Sequence, residues 1–536
     1  MTDASLQSLV SSQTALRRTF AIISHPDAGK TTLTEKLLLY SGMVRTAGMV
    51  RGRKGGKATS SDWMAMEQER GISITASAMQ FPYKGTTVNL LDTPGHQDFS
   101  EDTYRTLTAA DSAVMVIDAA KGVETQTRKL FAVCRMRAIP ILTFINKMDL
   151  PTRDPFDLMH EVEEVLGIKA APLNWPIGTG REFAGVVDCR TFEVSLFKRS
   201  AQGGSSRAEI TQMPLEEFKK QNLVDADVLA KLAYELELLS VAGNQFDDKS
   251  FLRGEVTPVF FGSALTNFGV EPFFDNFVAL APSPRETLAI QDDGNEVLID
   301  PTNEHFSAFI FKIQANMNPK HRDSMAFMRV CSGRFEREMT VKHHRLNKEI
   351  RLARSYSLVA QDRNTVESAF PGDIVGVINP GAFAIGDTIS EQGGFNFKGM
   401  PQFSTECVAQ IRPKEVMKHK AFEKGLKQLL DEGAVQLLRS YDHPEGAPMV
   451  AAVGRLQFEV LQYRLKSEYN VETQIDVLPY QESAWLIGDP RELRKPQSAG
   501  LALDVQGRVV VLFTGAWERK FVLERNPQHQ LKDFAH

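Results

Sequence analysis

Phe20-Ala21-Ile22-Ile23-Ser24-His25-Pro26-Asp27-Ala28-Gly29-Lys30-Thr31 is the stretch on which the reading of this chain turns. Four apolar residues of strand character run into a turn of small residues, and a helical segment opens at Lys30. From Ser24 onward the spelling follows the phosphate-cradling pattern G-x-x-x-x-G-K-[ST], with Ser24 in place of its first glycine. Backbone N–H groups of such a loop and of the helix N-terminus hold phosphates. Lys30 then spans the β- and γ-phosphates, and the Thr31 hydroxyl is a ligand for Mg²⁺. Serine is small, so the departure leaves this chemistry in place.

Two further segments follow in order, each after an apolar run. Val88-Asn89-Leu90-Leu91 leads into Asp92-Thr93-Pro94-Gly95-His96, and Pro140-Ile141-Leu142-Thr143-Phe144-Ile145 leads into Asn146-Lys147-Met148-Asp149. At a strand end, Asp92 can hold Mg²⁺ through water, and the Gly95 N–H can register a γ-phosphate. His96 stands where a water-positioning or proton-handling side chain is needed, as base, donor or positioner. An Asp149 carboxylate can accept two hydrogen bonds from guanine that adenine does not offer. Asn146 can bridge loop and base, the Lys147 stem can lie along the ring, and Ser263-Ala264 would complete the pocket through backbone N–H. The expected ligands are GTP or GDP with Mg²⁺.

Runs at Ala113-Val114-Met115-Val116-Ile117 and Pro258-Val259-Phe260-Phe261 complete a parallel sheet with helices between its strands, whose C-terminal strand ends carry the ligand. More than one hundred residues separate Asp149 from Ser263, where a single crossover needs about 30. The surplus, about 171–253, reads as an inserted subdomain with a hairpin over 183–197 and a helix over 227–241. The expected fold is multidomain. A P-loop α/β domain spans 1–281, and an acidic linker 282–304 begins near Pro282-Ser283-Pro284. Short alternating strands over 305–397 form a β-barrel, and 398–536 is an α+β domain. Within the last, the order βαββαβ from Cys407 to Val477 is ferredoxin-like. Helical faces at Phe422, Leu426, Leu429 and at Phe458, Leu461, Leu465 are core.

Composition narrows the rest. Of 536 residues, 42% are hydrophobic and 24% charged, a globular balance. No run approaches the ~18 apolar residues of a membrane span, and no signal peptide is read at the start. Four scattered cysteines without a CxxC pair fit reduced core residues of a cytosolic protein, so no metal site is expected from them. A net charge of −5 argues against wrapping naked nucleic acid. A local basic loop, with Arg45, Arg51, Arg53, Lys54 and Lys57, reads as a solvated loop or as a switch segment touching a polyanion.

Glu69-Arg70-Gly71-Ile72-Ser73-Ile74 resembles the effector loop of translational GTPases. That resemblance implies that Ser73, where the family has threonine, binds Mg²⁺ in the GTP state. The phosphate loop, Asp92–His96, the insertion and the barrel resemble elongation factor G, but about 60 residues after Val477 are too few for its two further domains. Arg18-Thr19-Phe20-Ala21-Ile22-Ile23-Ser24, Asp62-Trp63-Met64, Phe99-Ser100-Glu101-Asp102-Thr103-Tyr104, Phe311-Lys312-Ile313-Gln314-Ala315-Asn316 and Arg464-Leu465-Lys466-Ser467-Glu468-Tyr469 resemble the bacterial class II peptide-chain release factors. The resemblance implies a cytoplasmic, monomeric, ribosome-stimulated GTPase with no membrane partner. It would stimulate termination and promote departure of class I release factors from the ribosome. A ribosome-protection or translocation GTPase, and a nucleotide-gated binding module, are the competing readings.

Overall fold

The computed structural model describes residues 3–44, 67, 75–198, 205–315, 324–352, 354–359, 362–400 and 402–535. Ser73, the basic loop 45–57 and Asp62-Trp63-Met64 lie outside the described residues. The first unit is a seven-stranded sheet in the order Ser77–Tyr83, Thr86–Asp92, Arg17–Ser24, Ser112–Asp118, Ile141–Asn146, Val256–Phe261, Lys169–Pro172. Alternation along the strands divides the core. Ala21, Ile23, Met115, Ile117 and Phe261 face helices Thr125–Met136 and Pro155–Leu166. Phe20, Ile22, Val114, Val116 and Phe260 face helices Lys30–Ser41 and Val270–Leu280. Burial on both faces is why these strands read as continuous apolar runs.

Two strands go beyond the five expected. Ser77–Tyr83 pairs antiparallel with Thr86–Asp92 around a Lys84-Gly85 turn, so the sheet is mixed at this edge. Lys169–Pro172 pairs parallel with Val256–Phe261 and belongs to the main sheet, and the segment expected as an insertion, about 171–253, leaves the sheet at the end of this strand. Beyond it lies a four-stranded antiparallel sheet, Glu209–Pro214, Glu193–Lys198, Gly185–Asp188, Asn174–Ile177, with helix Ala226–Ala242.

The segment expected as a linker is structured in part. Thr287–Gln291 and Glu296–Ile299 form a hairpin, and Phe395–Phe397 adds a third strand. Asp292-Asp293-Gly294-Asn295 is the turn, with Gly294 at φ 89°, a conformation glycine adopts freely. An eight-stranded antiparallel sheet follows, centred on Ser307–Ala315 and Ser324–Ser332, with its own core around Phe306, Ile310, Met328 and Val375. This unit seats on the first through two buried ion pairs. Arg17 meets Asp373 at 2.9 Å, and Arg329 meets Asp111 at 2.6 Å.

The last unit runs Cys407–Pro413, helix His419–Asp431, Gln436–Ser440, Met449–Ala452, helix Arg455–Tyr469, Thr473–Val477. That is the βαββαβ order read from the sequence. Its sheet does not stop there. Arg439 and Ser440, at the end of Gln436–Ser440, pair with Gly500–Leu503, and Val509–Phe513, Glu482–Ile487 and Gln530–Lys532 continue to an eight-stranded sheet. Phe534–Ala535 then returns to pair with Gln402–Phe403. No helix among the described residues is long and apolar enough to cross a membrane.

Candidate functional site

The turn after Arg17–Ser24 carries the first segment. Gly29 sits at φ 98° as the residue before helix Lys30–Ser41, and Asp27 at φ 65°. A Cβ on Gly29 would lie 2.2 Å from Nδ2 of Asn146, so both backbone angle and space demand glycine. The Ser24 hydroxyl donates to the His25 carbonyl at 2.9 Å, which satisfies it locally where the pattern has no side chain. His25 Nε2 lies 3.2 Å from Glu124.

Asp92 ends the neighbouring strand, and its carboxylate meets the Lys30 ammonium at 2.6 Å with both side chains buried. Thr93 anchors the loop by donating to the Ile22 carbonyl at 2.6 Å. Pro94 accepts from the Thr103 hydroxyl. A Cβ on Gly95 would fall 3.7 Å from Pro26 Cα and 3.9 Å from Lys30 Cε, so the Gly95 backbone lies against the phosphate loop. His96 is 36% exposed at its side chain, and its Nδ1 accepts the Asp98 N–H at 3.3 Å. The same Nδ1 lies 3.3 Å from Asp98 Oδ1, so Asp98 holds this edge of the ring and Nε2 is the nitrogen turned away from it.

The third segment is laced to the first. Asn146 donates from Nδ2 to the Ala28 carbonyl and accepts at Oδ1 from the Ala264 N–H, both at 2.8 Å. Lys147, at φ 71°, donates to the Asp27 carbonyl at 2.5 Å and to Asp118 at 2.7 Å. Met148 is buried beneath the loop, and its N–H donates to the Gly262 carbonyl. Non-glycine residues in the left-handed region cluster where a loop is held by its surroundings for function. Asp149 Oδ1 is buried with no hydrogen-bond partner among the described residues.

The Ser263 N–H donates to the Phe268 carbonyl and the Ala264 N–H to Asn146 Oδ1, which sets the Ser263-Ala264 turn beside the Asn146 segment. Sequence reasoning missed Asp118. It ends strand Ser112–Asp118 beside the other motifs, and burial alone would raise its carboxyl. Hydrogen bonds from Lys147 and the Ala120 N–H outweigh that and hold it below the usual range. Its only sequence signal was an aspartate at a strand end. The described residues hold no cluster of His, Cys, Asp or Glu arranged for a metal, and all four cysteines are free.

Past His96 the site grips the other units. Asp98 accepts the Leu456 N–H at 2.9 Å from helix Arg455–Tyr469. Arg105, on helix Ser100–Thr108, donates to the Glu432 and Gly433 carbonyls at 3.3 and 2.8 Å. Phe99 packs on Val460 and Leu456. Asp98, Phe99 and Arg105 thus tie the segment that follows Gly95 to the C-terminal unit.

Comparison with known proteins agrees with this build. Residues 16–283 match the model of the elongation factor Tu GTP binding domain, 305–392 that of elongation factor G domain 2, and 397–523 that of the class II release factor RF3 C-terminal domain. A peptide chain release factor 3 of Symbiobacterium thermophilum is 52% identical over 513 residues, covering 95% of this chain and 96% of that one. One of Gloeobacter violaceus is 52% identical over 524 residues, covering 97% of each. A crystal structure of a Thermus thermophilus protein shares the fold at TM-score 0.69 and 22% identity, over 91% of this chain and 72% of that one. With identity of this extent over nearly the whole length, and a GTP-binding domain joined to a release-factor C-terminal domain, the chain belongs to the peptide chain release factor 3 family of translation termination.

Proposed function

We propose that this protein is a ribosome-stimulated GTPase that stimulates termination and, in its GTP cycle, drives class I release factors off the ribosome after the peptide is released. Its guanine specificity rests on one observation above others: the buried, unpartnered Asp149 Oδ1. A buried acceptor without a donor is costly, and the N1–H and exocyclic amine of guanine are donors of the right kind. Lys30 and the loop N–H groups around Gly29 bind the phosphates. Thr31 and Asp92 supply the hard oxygen donors that Mg²⁺ takes together with water, and Ser73 supplies a third on the family pattern. Bound there, Mg²⁺ would neutralise phosphate charge. His96, through Nε2, orients the attacking water.

Transmission follows from the contacts past His96. A γ-phosphate held by the Gly95 N–H fixes the loop that leads into helix Ser100–Thr108. That helix is bonded to the C-terminal unit through Arg105, so nucleotide state and unit orientation are coupled. Such a switch acts only as far as the nucleotide's affinity differs between the two arrangements. The partners are the ribosome and class I factors, and the protein acts as a cytoplasmic monomer. The test is a chase that follows a labelled class I factor leaving termination complexes. Departure is expected to be fast with GTP and this protein, and slow with GDP or without nucleotide. Equal rates in all three would overturn the reading.

A further inference from the structure

The four-stranded sheet beyond Lys169–Pro172 grips both loops of the proposed base pocket. Asn174, at the start of strand Asn174–Ile177, binds the Phe261 peptide from both sides. Its Oδ1 accepts the Phe261 N–H at 2.7 Å, and its Nδ2 donates to the Phe261 carbonyl at 3.1 Å. In the connection to strand Gly185–Asp188, the Gly180 N–H donates to the Met148 carbonyl at 2.8 Å, one residue before Asp149. Phe183 and Phe197 pack on Phe268 with ring centroids 6.0 and 5.1 Å apart, the second pair stacked. Finally, Asn267 Nδ2 donates to the Ser206 carbonyl at 2.6 Å, just ahead of strand Glu209–Pro214.

Asn267 is fully buried and sits at φ 69°. Glycine would meet that angle with less strain. Asparagine tolerates it and adds an amide that can reach another element. The turn it belongs to closes through the Ser263 N–H on the Phe268 carbonyl, and its Ala264 N–H donates to Asn146 Oδ1. Asn146 in turn donates to the Ala28 carbonyl of the phosphate loop. We infer that Asn267 is a positioning residue for base recognition, tying the turn 263–268 to the insertion so that Ala264 and Asn146 keep one arrangement beside Asp149. This rests on the reading above, in which Asp149 meets guanine. Asn267 acts through Asn146, and an apolar side chain in its place could not fix the turn by direction. Lys30 is held by Asp92, outside this set of contacts, so the γ-phosphate end of the site does not depend on it.

The test uses the full chain with Asn267→Gly, which keeps the backbone angle and removes the amide, and with Phe197→Leu, which thins the packing on the same turn. Affinities and dissociation rates are measured for GDP and for inosine diphosphate, which lacks the exocyclic amine, by displacement of a fluorescent guanine nucleotide. In Asn267→Gly we expect GDP to bind about tenfold more weakly, through faster release, the size of one lost hydrogen bond. Inosine diphosphate should lose about threefold or less, because it already lacks one of the contacts that the brace aligns. Discrimination between the two bases therefore falls, and Phe197→Leu should lower it in the same direction. Ribosome-stimulated kcat at saturating GTP should stay within about twofold, so that KM takes the loss. Arg190→Ala cuts a different tie of the insertion, to Asn276 on helix Val270–Leu280, and should change neither nucleotide. A change that merely loosens the fold would weaken both nucleotides by one factor. Equal losses for the two, no loss for either, or an Arg190→Ala effect as large as that of Asn267→Gly would overturn the inference. If the parent itself does not prefer GDP to inosine diphosphate, the base reading of Asp149 fails and this inference with it. If the parent prefers GDP and the variants keep the whole preference, Asn267 alone loses its role.

Discussion

Asp98 caps a helix that belongs to another unit. Its Oδ2 accepts the Leu456 N–H at 2.9 Å, at the N-terminus of helix Arg455–Tyr469, where the preceding residue is Gly454 and offers no side chain. A carboxylate there satisfies an orphan donor and meets the positive end of the helix dipole. The same Asp98 gives its N–H to His96, so one residue joins the candidate catalytic histidine to the C-terminal unit.

Asp98→Ala should weaken that docking by about 1 kcal/mol, the usual worth of an N-cap. Gly454→Ala should mimic it, because a Cβ on Gly454 would fall 2.0 Å from Asp98 Cγ and evict the carboxylate. The backbone at Gly454 (φ −145°) accepts alanine, so eviction rather than strain sets the effect. Urea denaturation of both single variants and the double variant checks this. Full additivity would contradict a shared contact.

Arg464 sets a pH-dependent expectation. Its guanidinium meets Glu432 at 2.7 Å and Glu468 at 2.5 Å, and both Arg464 and Glu432 are buried. Burial raises the Glu432 carboxyl, and Arg464 opposes that. Arg464→Met leaves the buried carboxylate with the Ala315 N–H as its hydrogen-bond donor, and should destabilise the protein by about 3–5 kcal/mol near pH 7.5. In the variant the folded state binds the Glu432 proton more tightly than the unfolded chain does. Stability is therefore regained as pH falls through the raised folded value toward the ordinary one, about 4.3. The gap between variant and parent should narrow from pH 7.5 to about 5.5, read by denaturant midpoints; a constant gap would exclude this account.

The segments of the candidate nucleotide site could be picked out because each is local in the sequence. Gly29, Lys30, Asp92 and Asn146 each follow or end a strand-like run, and those strands fall within four consecutive positions of the sheet, with Ser112–Asp118 between the first and the third. What joins the segments was not legible. Asp118 reaches Lys147 across adjacent strands, a pairing that depends on sheet order rather than spelling. The hairpin in the expected linker was hidden by its acidic turn and by the lack of polar–apolar alternation in Thr287–Gln291 and Glu296–Ile299. Gly500–Leu503 and the strands that continue from it are short, and Gly500 lies sixty residues after Ser440, the end of the strand they extend (500 − 440), so no single window reveals them. The contacts of Asp98 and Arg105 join residues more than two hundred positions apart, beyond the reach of any local pattern.

Asp149→Asn tests base reading. Two hydrogen bonds from guanine to a carboxylate, each worth about 1.5–3 kcal/mol when charged, would be lost or reversed. GTP affinity should fall by at least about 100-fold, while xanthosine triphosphate, with a carbonyl where guanine has an amine, should gain. Competition between the two nucleotides measures this directly. Unchanged GTP affinity would remove Asp149 from the base pocket.

His96→Ala separates binding from turnover. The ring is half-exposed and its Nδ1 is engaged by the Asp98 N–H, which leaves Nε2 as the atom free to meet a water at the phosphate. The ring bonds to none of the residues that cradle phosphate or base, so GTP and GDP affinities should stay within about twofold. A positioned proton-handling group is worth about 10²–10⁴-fold, so ribosome-stimulated hydrolysis should fall by at least about 100-fold. The slow hydrolysis without ribosomes should change far less if, as proposed, the ribosome is what fixes this half-exposed ring for the reaction. Single-turnover hydrolysis with and without ribosomes distinguishes these terms. A parent protein that turns over equally fast in both conditions would refute ribosome stimulation itself. A His96→Ala variant that keeps full stimulation would instead move the catalytic role to another residue of the loop.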